Sequence, residues 1–322
     1  MELKLSTKKK LNEETQEKVE NVVILGSGPA GLSAALYAGR AELSPLVLSG
    51  LELGGQAALT NIIENYPGFP DGVGGSQLGD LFQKQAEHFG ARVDFDTATS
   101  VDLSTKPFTV NTYSKKILAK SLIITTGASP VHLNVPGETE LVGKGVSYCA
   151  TCDGYFFREK KVIVVGGGDS AIEEAIFLTR YASSVTIVHR REELRAGAIL
   201  QKRAKANPKI SFVWNSVVKA IKGKDGMQSV QLSNVKTGKE SNLAADGIFI
   251  FIGHVPNTQL FAGQLEMNPG GYLITDMKMQ TNVPGVYAAG EAADPVYRQV
   301  ITSAGMGAAA AIQAAKYLEA VD

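Results

Sequence analysis

Two cysteines, Cys149 and Cys152, stand three positions apart in the segment CATCD, and the 322-residue chain contains no other cysteine. Cysteines at this spacing can close a disulfide, and the pairing can lower the pKa of one thiol. A structural zinc site needs four ligands, whereas the sequence offers no second cysteine pair and only four histidines. The pair therefore predicts a redox-active disulfide in a reducing compartment, with a buried inert pair as the alternative.

Asp153 directly follows the cysteine pair. Its carboxyl group could exchange a proton with a thiolate that leaves when the disulfide is reduced. Aspartate is also a common residue at helix caps and in turns. The sequence leaves both roles open.

A glycine loop of the form Gly-x-Gly-x-x-Gly follows the apolar run at residues 21–25 and opens a segment with helical spacing. Such glycines permit a tight turn and a close approach of the backbone to a pyrophosphate, which sits at the positive end of the helix. The alternative is a glycine-rich turn that binds no ligand. We predict a dinucleotide site formed by Gly26, Gly28, Pro29, Ala30 and Gly31.

The next predicted strand, PLVLSG at residues 45–50, ends without a carboxylate or an arginine, and the nearest acid is Glu52. A carboxylate at the strand end would bind the ribose of NAD, and an arginine would bind the 2′-phosphate of NADP. FAD fits this loop because its adenosine ribose carries no 2′-phosphate.

A second glycine loop, of the form Gly-x-Gly-x-x-Ala, follows the apolar run at residues 161–165 and comprises Gly166, Gly168, Asp169, Ser170 and Ala171. Three arginines follow the next strand, where a ribose-binding acid would otherwise stand: Arg190, Arg191 and Arg195. Guanidinium groups bind phosphate bidentately, so the cluster predicts NADPH rather than NADH. A solvated basic helix start is the alternative, because two glutamates adjoin the arginines.

The two loops belong to a repeated plan of strand, loop, helix and a later strand that ends in glycine, at Gly127 and at Gly253. A further strand, ending at Gly290, has no glycine loop of its own, so it is predicted to complete the first sheet. The predicted fold class is α/β, with two Rossmann-like dinucleotide-binding domains of the three-layer type. The predicted limits are a charged tail at 1–20, a discontinuous FAD domain at 21–128 and 258–322, and an inserted NADPH domain at 129–257 that carries the cysteine pair and a β-meander at 217–238.

Composition limits the partners of the chain. The 32 Lys and Arg residues balance the 32 Asp and Glu residues, which argues against a nucleic acid as the main partner. No apolar run is long enough to span a membrane, and the N-terminus lacks the apolar region of a secretory signal. We therefore expect a cytoplasmic protein that binds neither nucleic acid nor a membrane, and no metal.

Nine motifs carry a resemblance to a known family: GSGPAG, GGQ, ENYPGFP, CATCDG, GGGDSA, HRREELRA, IGHVPNT, AAGEAAD and YRQ. In this order and spacing, over about residues 20–320, the chain resembles low-molecular-weight, NADPH-dependent thioredoxin reductases of bacterial type. The position of CATC within the second domain separates this family from enzymes of the glutathione-reductase type, whose redox cysteines lie in the FAD domain.

The resemblance implies that Cys152 contacts the flavin, that Cys149 attacks thioredoxin or a thioredoxin-like protein, and that Asp153 acts as acid and base. It also implies a homodimer. It adds residues to the FAD site, namely Gly55, Gln56, Asn65, Gly127, Gly290, Glu291, Arg298 and Gln299. It adds His189 and Gly253 to the residues around NADPH. Glu291 departs from the aspartate that is usual in the family, so the extra methylene shifts the carboxylate near FAD.

Three other functions remain open. A related flavin reductase could serve a different dithiol protein. A ferredoxin-linked or nicotinamide-independent dithiol oxidase is another, although the arginine cluster argues against it. A non-catalytic redox sensor is the third, but it would have no use for a complete hydride and thiol relay.

The inferred organisation raises a geometric problem, because the disulfide and the nicotinamide would belong to one domain and yet both must reach one flavin ring. The family solves this by rotating the NADPH domain between two states. We adopt that rotation as a hypothesis, with hinges near residues 128–131 and 256–259.

Overall fold

The computed structural model describes residues 18–50, 53–60 and 62–321. The strands, in chain order, are β1 (Val19–Leu25), β2 (Leu46–Leu48), β3 (Arg92–Asp94), β4 (Ala98–Asp102), β5 (Phe108–Thr112), β6 (Lys116–Ile124), β7 (Ala128–Pro130), β8 (Val146–Ser147), β9 (Lys161–Val165), β10 (Ser184–Val188), β11 (Ile210–Val213), β12 (Ser216–Gly223), β13 (Met227–Asn234), β14 (Glu240–Ala244), β15 (Gly247–Ile250), β16 (His254–Pro256) and β17 (Val286–Ala288).

The α-helices are α1 (Pro29–Arg40), α2 (Gly55–Ala58), α3 (Gly75–His88), α4 (Ala150–Asp153), α5 (Asp169–Leu178), α6 (Ala198–Ala206) and α7 (Val300–Val321). Short 3₁₀ helices cover Gly154–Phe157, Gln259–Phe261 and Gly290–Ala292. None of the helices in the described part of the chain combines the length and the apolar character needed to cross a membrane.

The first sheet has the order β3-β2-β1-β6-β5-β4, and β17 pairs with β6. β1 runs parallel to β2 and to β6, and Val286 of β17 lies opposite Leu122 of β6. The strand near the C-terminus therefore belongs to the sheet that the N-terminal half begins. This sheet and its helices are called the first unit below.

Successive side chains along the strands of this sheet point to opposite faces, so the core of the first unit has one part on each face of the sheet. Val22 and Ile24 of β1 pack with alanines of α1 and α7 on one face. Val23 and Leu25 point to the other face, which is covered by residues of β5 and of the segment near Phe261. Both faces are thus buried, as a parallel sheet requires.

The second sheet, with the order β11-β10-β9-β15-β8, is parallel throughout. Apolar residues of α5 and α6 cover one face. The antiparallel sheet β12-β13-β14, which forms where the β-meander was predicted, covers the other face. These three layers are called the second unit.

The chain passes between the two units through β7 and β16, which pair antiparallel with Ser129 opposite Val255. The side chain of Asn257 adds a hydrogen bond of 2.9 Å to the carbonyl of Thr126. The two crossings thus lie side by side and hold each other through backbone pairing.

β1 begins at Val19, two residues before the predicted start. Glu20 is buried and accepts a hydrogen bond of 3.1 Å from Arg92, a partner 72 positions away along the chain. Residues 1–17 of the predicted charged tail lie outside the described residues.

The linker between the units is fixed by the buried carboxylate of Glu138, which accepts hydrogen bonds from the backbone N–H groups of Leu133 and Asn134 and from the hydroxyl of Tyr148. Burial alone would raise the pKa of this carboxyl, but these donors outweigh burial and hold the pKa below its usual range. Tyr148 adjoins Cys149, so the same carboxylate anchors the segment that leads to the cysteine pair.

Helices α1 and α7 touch closely enough to exclude a side chain between them. A Cβ atom added to Gly307 of α7 would lie 1.9 Å from the carbonyl oxygen of Ala30. Since Ala30 also belongs to the first glycine loop, the position of α7 supports the shape of that loop.

The substitution Gly307→Ala is expected to force α7 away from α1 and to lower the free energy of unfolding by about 1–3 kcal/mol, the usual cost of overpacking. The matched control is Gly305→Ala on the same helix, because its Cβ would meet no atom within 4 Å. That control should be neutral or more stable by about 0.5–1 kcal/mol. Urea unfolding measures both, and equal stability of the two variants would contradict the close packing.

Candidate active site

The first and second units enclose one continuous cleft of about 1710 Å³. Most of the predicted site residues line it, and they come from both units. The residues are Gly26, Gly28, Pro29, Ala30, Gly55, Gln56, Asn65, Gly127, Cys149, Cys152, Asp153, Gly168, Asp169, Ser170, Ala171, Arg195, Gly253, Gly290, Glu291, Arg298 and Gln299.

Five predicted residues do not line the cleft: Gly31, Gly166, His189, Arg190 and Arg191. Gly31 is buried behind the first loop, where an added Cβ would lie 1.8 Å from the carbonyl oxygen of Gly26. Its contribution is the close packing of loop and helix. Arg190 and Arg191 are exposed and lie past the end of β10.

The first glycine loop fits a dinucleotide phosphate. α1 begins at Pro29, and no side chain caps its first turn, which leaves backbone N–H groups free at the positive end of the helix. Thr125 fixes the loop from behind, because its hydroxyl lies 3.0 Å from the carbonyl oxygens of Leu25 and Gly26. The neighbouring Thr126 lines the cleft with a buried hydroxyl that has no hydrogen-bond partner among the described residues. These features suit the flavin dinucleotide predicted for this loop.

The second glycine loop is tied to the arginine segment. The backbone N–H groups of Arg195 and Ala196 donate to the carbonyl of Gly167, at 2.7 and 3.1 Å. The carboxylate of Asp169 accepts the N–H of Gly197 at 2.7 Å. Asp169 therefore holds the arginine segment against the loop.

His189 packs against the second loop at its middle glycine. A Cβ atom on Gly167 would lie 2.4 Å from the His189 ring, and the imidazole is buried. Burial lowers the pKa of His189, a hydrogen bond to the backbone of Glu193 opposes this in part, and the three neighbouring arginines lower the pKa further. Sequence reasoning missed the role of Gly167, although the run of three glycines was a visible signal.

Cys149 and Cys152 form a disulfide at the start of α4. The Sγ atom of Cys149 accepts the backbone N–H of Cys152 at 3.2 Å, and the hydroxyl of Thr151 lies 3.4 Å from the same sulfur. Both donors would stabilise a thiolate on Cys149 once the disulfide is opened. These contacts suit the attacking role predicted for Cys149.

Asp153 is the last residue of α4 and precedes the 3₁₀ helix Gly154–Phe157, which it does not cap with its side chain. Its carboxylate accepts a hydrogen bond of 2.6 Å from the hydroxyl of Ser147. Burial raises the pKa of Asp153, and the Ser147 hydrogen bond lowers it only in part. Of the two roles that the sequence left open, the side chain does not take the capping role at this 3₁₀ helix, and proton exchange stays a prediction. Ser147 was missed because nothing in its sequence position signals this contact.

Gln299 connects the redox segment to the first unit. Its amide nitrogen donates to the hydroxyl of Thr151 at 3.3 Å, and its carbonyl oxygen accepts the side-chain amide of Asn65 at 3.1 Å. Thr151 stands between the two cysteines. The disulfide segment is thereby in direct contact with Gln299 and, through Gln299, is linked to Asn65; both residues are predicted to bind FAD.

Arg298 makes a second contact near the crossing between the units. Its guanidinium lies 3.1 Å from Nδ1 of His254, which β16 carries. Burial and the charge of Arg298 lower the pKa of His254 to about 4, so the imidazole is neutral and accepts this hydrogen bond. Arg298 also faces Glu174 of α5, whose pKa burial raises to about 7.

Glu291, the residue that departs from the family's aspartate, lies on the cleft wall in the 3₁₀ helix Gly290–Ala292. Burial raises the pKa of its carboxyl.

No group of three or more His, Cys, Asp or Glu residues within 18–50, 53–60 and 62–321 is placed to hold a metal ion.

The structure superimposes on the crystal structure of thioredoxin reductase from Streptococcus pyogenes with a TM-score of 0.90, at 42% sequence identity, over 95% of this chain and 100% of that chain. The Lactococcus lactis thioredoxin reductase, solved in the FR conformation, is also 42% identical. It covers 94% of this chain and 99% of its own, but its TM-score is 0.65. These matches confirm the predicted α/β fold class with two Rossmann-type domains.

A thioredoxin reductase from Streptomyces coelicolor is 50% identical over 306 residues, which cover 94% of this chain and 95% of the relative. The resemblance inferred from the nine motifs is therefore confirmed. Residues 20–313 match the family described as pyridine nucleotide-disulphide oxidoreductase. Because this match spans nearly the whole chain, the protein belongs to the pyridine nucleotide-disulphide oxidoreductase family.

Proposed function

We propose that the protein is an NADPH-dependent disulfide reductase that uses FAD and the Cys149–Cys152 pair to reduce thioredoxin or a thioredoxin-like protein. The observation that carries this proposal is the contact between Thr151, within the redox pair, and Gln299 of the first unit. It places the disulfide in the same cleft as the first glycine loop. The relatives named thioredoxin reductase support the choice of partner.

The residues present suit both cofactors. The uncapped start of α1 would bind the FAD pyrophosphate, with Thr126 and Gln56 on the adjoining walls. The second loop would bind the NADPH pyrophosphate, and the arginines at 190, 191 and 195 would bind the 2′-phosphate. When bound, the flavin would accept a hydride from NADPH and supply the electron pair that opens the disulfide.

The thiol steps belong to the protein's own residues. Opening the disulfide with two electrons and one proton leaves one thiolate and one thiol, and the Asp153 carboxyl, whose pKa burial raises, would supply that proton. The Cys149 thiolate attacks the partner disulfide and displaces one partner sulfur, which forms a mixed disulfide. Cys152 then returns its proton to the Asp153 carboxylate and attacks Cys149. The second partner sulfur leaves, and the Cys149–Cys152 bond forms again.

Cys149 and Cys152 are half-buried and face the cleft, and Thr151 between them touches Gln299, so the first unit stands beside the sulfurs that a protein partner would have to approach. We propose that the second unit rotates on the crossings β7 and β16, near the hinges predicted at 128–131 and 256–259. Two relatives of equal identity differ in TM-score, 0.90 against 0.65, which supports two arrangements of the same units. Rotation would expose the cysteines and bring the second loop to the flavin.

The proposed electron route is tested first with Cys149→Ser. FAD-loaded protein should oxidise NADPH in the presence of thioredoxin. The variant should lose at least 99% of this turnover because the attacking sulfur is gone; removal of a nucleophile costs roughly 10⁴-fold or more in other enzymes. NADPH should still bleach the flavin absorbance of the Cys149→Ser variant. Bleaching without thioredoxin turnover in the unaltered protein would instead favour another dithiol partner. Absent bleaching would favour a ferredoxin-linked oxidase or a sensor.

The choice of nicotinamide is tested with Arg191→Ala. Loss of a charged hydrogen bond to phosphate should lower kcat/KM for NADPH by about tenfold to a hundredfold and leave the value for NADH nearly unchanged. Arg203→Ala on α6 is the control, since it removes an arginine of the same unit outside the loop. An equal loss with both nucleotides would rule out recognition of the 2′-phosphate.

Rotation is tested by fluorescence energy transfer. Dyes would be attached to Tyr113→Cys in the first unit and Lys224→Cys in the second, both at exposed turns, while the native cysteines are protected as a disulfide. Addition of NADPH should change the distribution of dye distances. A pair within the second unit, Lys224→Cys with Ile199→Cys, should keep its distance. A single fixed distance between the units during turnover would disprove the rotation.

The homodimer and the cytoplasmic location stay predictions from the resemblance and the composition. Analytical ultracentrifugation of the FAD-loaded protein would measure the first, with a mass of about twice 34.1 kDa expected.

A further inference from the structure

Ser147 connects the two groups that handle electrons and protons. It ends β8, the edge strand of the second sheet, and only 4% of its surface is exposed. Its Oγ atom accepts the backbone N–H of Cys149 at 3.1 Å, lies 2.6 Å from Oδ2 of Asp153, and lies 3.2 Å from the carbonyl oxygen of Cys149. One buried hydroxyl therefore touches both the redox segment and the carboxyl of Asp153.

A serine hydroxyl has one proton, so it cannot donate fully to Asp153 and to the Cys149 carbonyl at once. While Asp153 is ionised, the carboxylate is the stronger acceptor, and the short distance of 2.6 Å fits a charge-assisted bond. When Asp153 gains a proton, its carboxyl can donate to Oγ instead. The hydroxyl proton then becomes available to the carbonyl of Cys149.

We propose that Ser147 is a positioning residue that holds the Asp153 carboxyl beside the cysteine pair. Its hydroxyl donates a hydrogen bond to Asp153 while that carboxyl is ionised, and to the Cys149 carbonyl once Asp153 is protonated. This inference rests on the proposed function, in which Asp153 supplies the proton when the disulfide opens. The same carboxyl takes the proton back when Cys152 attacks the mixed disulfide. Ser147 returns to its starting bond after each cycle, so it neither gains nor loses a proton.

Two influences act on Asp153 in the oxidised protein. Burial raises the pKa of its carboxyl, and the Ser147 hydrogen bond lowers it. The other titratable groups between Ser147 and Asp153 are Tyr148, whose hydroxyl donates to Glu138, and the two cysteines, which are held as a disulfide until reduction. Removing the hydroxyl leaves burial unopposed, so the pKa of Asp153 must move further upward.

The test follows the titration of Asp153 directly, by ¹³C NMR of FAD-loaded, oxidised protein labelled at the aspartate carboxyl carbons, with Asp153→Asn to assign the signal. In Ser147→Ala the midpoint should rise by about one pH unit, the size expected for one lost hydrogen bond to a carboxylate. Ser147→Thr, which keeps the hydroxyl, should restore the original midpoint. Ser121→Ala is the matched control, because it removes a buried hydroxyl that bonds the Gly285 carbonyl in the first unit. It should leave the midpoint unchanged.

A second readout is the pH profile of NADPH-driven thioredoxin reduction, in which the inflection that Asp153→Asn abolishes should move by the same amount in Ser147→Ala. Thermal unfolding of Ser147→Ala and Ser121→Ala separates a general loss of stability from the shift. An unchanged Asp153 midpoint in Ser147→Ala overturns the role of Ser147, whether or not the protein reduces thioredoxin. A shifted midpoint in a protein without reductase activity would uphold the Ser147 contact and refute the proposed function.

Discussion

One unit of the protein carries both the cysteine pair and the second glycine loop, and this shared attachment is the constraint on which the other features depend. The pair meets the first unit through the hydrogen bond between Thr151 and Gln299. While that contact exists, the second loop cannot occupy the same place. In the proposed rotation, the paired crossings β7 and β16 are the part of the fold on which the two chemical contacts would alternate.

The segment from Asp294 to Gln299 shows how the first unit presents this contact. The carboxylate of Asp294 accepts the backbone N–H groups of Val296, Tyr297 and Arg298, which fixes the turn. Arg298 takes a positive φ of 53°, in the region that L-residues rarely adopt. The strained backbone directs Arg298 to His254 and Gln299 to Thr151. A local turn thus supplies one side chain that touches β16 at the crossing and one that touches the redox segment.

Local patterns were enough to predict much of the fold and part of the site. The glycine loops, the strands before them and the β-meander follow from residue types within a few positions of each other. Other features depend on partners distant in sequence. The early start of β1 reflects the pairing of Glu20 with Arg92, and the need for Gly167 reflects the ring of His189. The contact of Ser147 with Asp153 depends on the course of α4, which brings the Asp153 carboxylate to the Ser147 hydroxyl.

The discontinuous first sheet has a consequence for synthesis on the ribosome. β17, which lies beside β6, ends at residue 288, and α7, which covers α1, comes later still. The strands of the second unit, β8 to β15, are all present by residue 250. The unit in the middle of the chain can therefore complete its core first, while the unit that begins the chain must wait for its last residues to emerge.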